Sequence, residues 1–124
     1  MIRVFFALGS ALGFLAVALG AFGAHALSGR LTPDRLTIYE TGVRYQMYHA
    51  LALLAAAWAC ERFGAPAGAA GWAFLAGILI FSGTLYGLAL GAPRWLGAVT
   101  PVGGLCFLAG WLLLAWSAMR SVGR

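Results

Sequence analysis

The chain has 124 residues, of which 63% are hydrophobic and 9% charged. A soluble domain carries about a quarter charged residues, and a globule of this length cannot hide so much apolar surface from water, so lipid is the expected solvent. The formal net charge is +5. Every basic residue is an arginine set singly at the border of an apolar run, which excludes the clustered footprint of a nucleic-acid binder and reads as interfacial anchoring.

A helix needs about 20 apolar residues to cross the hydrocarbon core. Four stretches approach that length, over residues 4–27, 43–60, 69–90 and 96–119. The expected fold class is therefore all-α, a single domain over residues 1–124 forming an integral membrane bundle of four transmembrane helices. The first run closes on Ala24-His25-Ala26, which has the form of a signal-peptidase site. The apolar run before it is too long for a signal peptide and more membrane sequence follows, so the span is expected to be retained.

After it, Thr32-Pro33-Asp34 carries the signals of a helix start. Thr is a good N-cap, Pro suits the first helical position, and Asp complements the positive end of the dipole. A helix from Pro33 runs unbroken into span two, which is thereby extended at its polar N-terminal end. Glu40 and Arg44 stand four apart in the order that favours an ion pair. ERFGAPAG, from Glu61 to Gly68, and GAPRW, from Gly91 to Trp95, read as tight turns that make spans two, three and four antiparallel neighbours. Pro101, after Thr100, lies early enough in span four to be tolerated. Trp58, Trp72, Trp95, Trp111 and Trp116 fall mostly toward span ends, as an aromatic belt does. Cys60 and Cys106 have no metal spacing and read as free, packed thiols.

An even number of spans puts both termini on one side. Arg3, Arg62, Arg120 and Arg124 lie there, and Arg30, Arg35, Arg44 and Arg94 lie opposite. Because Arg44 is partly within a span, the termini are expected to be cytoplasmic.

Lipid does not drive apolar helices together, so close backbone approach and hydrogen bonds must. The glycines meet the first need: Gly9, Gly13 and Gly20 in span one, Gly83 and Gly87 in span three, Gly103 and Gly104 in span four. The polar residues meet the second. His25 ends span one, Glu40, Arg44, Tyr45, Gln46 and His49 open span two, Tyr86 is near the end of span three, and Thr100 near the start of span four. In an antiparallel bundle all of these fall in the same half of the membrane. His49 lies about 9 Å along the helix from Val43, inside hydrocarbon depth, where a polar group must find a partner. His25 is expected to bond into this cluster.

GAFGAHAL, ETGVRYQMYHALALL, FSGTLYGLAL and TPVGGLCFLAGW, in this order and spacing, resemble the YgdD family, related to transmembrane protein 256 (domain of unknown function 423). The matching positions include His25, Glu40, Arg44, Tyr45, Gln46, His49, Ser82, Gly83, Tyr86, Thr100, Pro101, Gly103 and Gly104. The resemblance implies a small four-helix protein of the bacterial inner membrane and no particular reaction.

No nucleophile stands beside a base, no acids are paired and no HExxH is present, so no catalytic residues, cofactor or metal are expected. The expected role is that of a non-enzymatic scaffold or accessory subunit whose polar cluster fixes the bundle or receives a partner. Two other readings stay open: a small carrier or channel component with His25 and His49 in the path, and a haem- or metal-binding protein using the same two histidines, for which no third ligand is evident. The expected partner is the lipid bilayer, and a second copy or another membrane protein stays open as a further one.

Overall fold

A computed structural model describes residues 1–122, so Arg124 lies outside the described residues. Those residues form four helical rods. Helix α1 spans Ile2–Phe22 and continues through a π turn at Gly23–Leu27. Helix α2 spans Pro33–Phe63. The third rod joins α3, Ala65–Gly77, to α4, Gly83–Ala89, through a second π turn at Ile78–Ser82. Helix α5 spans Leu96–Val122 with Pro101 inside it.

The start of α2 forms as its residues dictate. Thr32 is extended and its Oγ1 accepts from the Arg35 amide at 3.3 Å. The turn after α2 is tighter than ERFGAPAG suggests. Glu61, Arg62 and Phe63 stay helical, Ala65 already begins α3, and Gly64 alone reverses the chain at φ 87°. That angle suits a residue without a Cβ, and Pro66 is tolerated in a first helical turn. Gly91, at φ 103°, does the same before α5.

Three rods, Ile2–Leu27, Ala65–Ala89 and Leu96–Ser121, are long and apolar enough to cross a membrane. α2 has 31 residues, a length of about 46 Å, but is not apolar enough to join that set. The reason is its place in the fold. α1 packs along α2, α5 along the α3–α4 rod, and α2 touches every other rod. As the inner helix it is rich in alanine and carries the buried Gln46 and His49. The outer rods turn Phe14, Val17, Leu79, Leu105, Leu108 and Leu112 outward, as lipid-facing surfaces do.

The main core joins Phe5 of α1, Leu53 and Ala56 of α2, Phe74 of α3 and Phe107 of α5. A smaller cluster of Leu27, Tyr39 and Ala89 closes the polar end. Glycines let these rings in. Gly71 faces Phe5, Gly77 faces Phe107, Gly110 faces Phe74, Gly23 faces Tyr39 and Gly42 faces Tyr86, and a Cβ at any of them would come within 3.0 Å of the ring. Gly9 meets the Ala50 carbonyl oxygen, 2.8 Å from where its Cβ would stand, and Gly103 meets the Phe81 backbone. Gly87 and Gly20 are snug at 3.2 and 3.4 Å, while Gly13 and Gly104 are in ordinary contact at 3.9 Å. Gly83 does not pack: nothing lies within 4 Å of its Cβ position. The π turn before it inserts an extra residue into the helical phase, which puts Ser82 on the inner face and Gly83 on the outer one.

Candidate functional site

Several polar groups of the interior converge on α2. Gln46 and His49 are 3% and 4% exposed. Gln46 Nε2 donates to the Leu12 carbonyl at 2.8 Å, and Oε1 accepts from the Tyr86 hydroxyl at 2.6 Å. One side chain thus ties α1, α2 and α4. Nearer the polar end, the Tyr39 hydroxyl donates to the Leu19 carbonyl, and Ser82 Oγ donates to the Gly42 carbonyl at 2.7 Å. The Thr84 and Thr100 hydroxyls lie 2.7 Å apart. One donates to the other, which passes its own proton to a carbonyl of its own helix, Leu96 or Ile80. These bonds join all four rods. Among the described residues no buried side-chain nitrogen or oxygen lacks a partner.

His49 sits in an aromatic box. Its ring stacks on Phe107 at 3.5 Å and 8°, with Phe74 and Trp111 around it at 5.7 and 5.8 Å. Trp111 Nε1 donates to His49 Nε2 at 3.1 Å, and His49 Nδ1 lies 2.8 Å from the Tyr45 carbonyl oxygen. An indole N–H only donates, so Nε2 accepts. Nδ1 then carries the proton and donates to Tyr45. Both nitrogens are occupied, and a metal or proton at Nε2 would have to displace Trp111.

The structure buries three of the sequence-derived site residues, Gln46, His49 and Thr100, and holds half-buried Tyr86 against them. Tyr45 stands at the rim, 38% exposed, with its ring on Phe81 at 4.9 Å. Glu40 and Arg44 are exposed and line a shallow groove of about 240 Å³ against Gly20 of α1. They take no part in the Leu12–Gln46–Tyr86 chain. His25 is exposed too, and the expected bond into α2 is not among the interhelical bonds described above. In its π turn Gly23 and Leu27 take the inward face, Tyr39 fills the space at Gly23, and His25, midway between them, is turned out. Cys60 and Cys106 are free thiols, and among the described residues no three His, Cys, Asp or Glu side chains gather as a metal site.

Sequence reasoning missed Trp111, Tyr39 and Thr84, and Ser82 entered it only as a position that matches the family pattern. A signal for Trp111 existed. Thr100, Phe107 and Trp111 are seven and eleven apart, two and three helical turns, and therefore share a face.

The comparisons with known proteins point to a family of membrane proteins. The family model described as a protein of unknown function (DUF423) matches residues 19–104. A UPF0382 membrane protein of Staphylococcus haemolyticus is 43% identical over 121 residues, covering 98% of this chain and 99% of its own. The UPF0382 membrane protein YwdK of Bacillus subtilis is 42% identical over 120 residues, 95% and 98% of the two chains. One from Haemophilus influenzae is 45% identical over 109 residues, 88% of each. No solved structure matches. Alike to these membrane proteins from end to end, with three rods apolar enough to cross a bilayer, the chain belongs to the DUF423 family.

Proposed function

We propose that the protein is a non-enzymatic scaffold or accessory subunit of the bacterial cytoplasmic membrane, crossing it four times with both termini on the cytoplasmic side. The observation that supports this reading is the use of the interior polar groups. A proton or ion path needs groups that exchange partners with water or cargo. Here Gln46, Tyr86, Ser82, Thr84, Thr100 and His49 are bonded to one another, to Trp111 or to helix carbonyls. Such bonds fix how the helices dock, and this leaves the outer faces to meet lipid or a partner.

The competing reading is a carrier or channel component, and proteoliposomes separate the two. With a pH-sensitive dye inside and a potassium diffusion potential imposed, vesicles holding the protein should leak protons no faster than empty ones. A flux that vanishes in His49→Leu would replace the scaffold reading with the carrier one.

A further inference from the structure

We propose that the cleft between α2 and α5 at the terminal end of the bundle binds one anionic glycerophospholipid, with its phosphate between Arg62 and Arg120 and an acyl chain along the groove below. The head end is a cavity of about 530 Å³ around the Gly64 turn, lined by Arg62, Arg120, Ser121 and Phe63. Below it runs an apolar groove of about 290 Å³. Its floor is Ala55 and Ala59 of α2 with Ala115 and Ala118 of α5, and its walls are Trp58 and Trp111. Phe63 lines both, so the polar cavity and the apolar groove adjoin at that residue.

Length and charge select the occupant. From Ser121 down to Trp111 is ten residues of α5, about 15 Å, half of a hydrocarbon core about 30 Å thick. That is the depth of one leaflet. Guanidinium groups pair well with phosphate oxygens. Arg3 lines the adjoining cleft and shares Gly64 and Ala65 with the first. Between residues 61 and 66 the one acid is Glu61. The small floor admits a chain where larger side chains would fill the space. Trp111 is held as a wall by its bond to His49. Such a lipid site suits a scaffold and a carrier alike.

The test uses the delipidated full chain in mild detergent, with bound lipid counted by native mass spectrometry. The probes are phosphatidylglycerol, phosphatidylcholine of the same chains, and inorganic phosphate as competitor. One phosphatidylglycerol should bind in preference to phosphatidylcholine. The double variant Arg62→Gln/Arg120→Gln should bind it about 30-fold more weakly, the effect of two interfacial basic residues at about 1 kcal/mol each. Both side chains are exposed, so that variant keeps its fold. The matched variant at the other end, Arg30→Gln/Arg94→Gln, should bind as the natural chain does. Ala115→Leu, which blocks the groove, should weaken binding, and millimolar phosphate should not displace the lipid. Equal binding of the two lipids, or full binding by Arg62→Gln/Arg120→Gln, would overturn the proposal. Displacement by phosphate alone would overturn it as well, leaving a simple anion site.

Discussion

Gly83 and Gly103 are both helical glycines, yet their surroundings are opposite. A Cβ at Gly103 would collide with the Phe81 backbone, which cannot step aside, while one at Gly83 meets nothing within 4 Å. Overpacking of this kind costs about 1–3 kcal/mol, so Gly103→Ala should lower the thermal midpoint in detergent clearly. Gly83→Ala should leave it unchanged or raise it, because alanine is the better helix former by about 1 kcal/mol. Equal loss in both would show that the phase of the third rod is not as described. His49 supplies a second contrast. His49→Leu removes the acceptor of Trp111 and the stacking on Phe107, a loss of about 1–2 kcal/mol for a bond inside a membrane bundle. Cys106→Ala, at a half-buried free thiol, should be nearly silent in the same unfolding assay.

Among the elements, the capped start of α2 was readable because Thr32, Pro33 and Asp34 act locally. The two π turns were not. A wide turn is chosen by what it lets neighbouring groups reach: Ser82 the Gly42 carbonyl, and Thr84 the Ile80 and Phe81 carbonyls at 2.7 and 3.1 Å. Both partners of the Ser82 bond lie on different rods, 40 residues apart in sequence, so no window along the chain contains the reason. The same turns explain why His25 and Gly83 do not face where a regular helix would put them. α2 itself is the element whose membrane crossing hydropathy leaves open. The reading of four antiparallel crossings predicts that single cysteines at positions 30 and 94, in a chain with Cys60 and Cys106 replaced, react with an impermeant maleimide from one side. A cysteine at position 64 should react only from the other. Labelling of 30 and 64 from the same side would break the topology.

The whole molecule is arranged around one inner helix. Tyr39, Gly42, Gln46, His49, Leu53 and Ala56 follow one another at steps of three and four, and all are buried. That is the seam of a helix packed on its neighbours, and it could be read from the sequence once α2 was known to be central. The centrality itself could not, since it depends on how α1 and α5 choose their sides. Topology alone placed Gln46, His49, Tyr86 and Thr100 in one region, and short connections made that inference safe. Which group bonds to which was beyond it, because the acceptors include main-chain carbonyls such as Leu12 and Leu19 that no side-chain pattern reveals. If these polar groups hold the bundle together, the unfolding free energies of the natural chain, Gln46→Leu, Tyr86→Phe and the double variant, taken as a cycle, will show it. The hydrogen bond between them should appear as a coupling energy of about 0.6–1.7 kcal/mol, with Gln46→Leu the more harmful single change because it also frees the Leu12 carbonyl. Strictly additive effects, or a Gln46→Leu variant as stable as the natural chain, would contradict the claim.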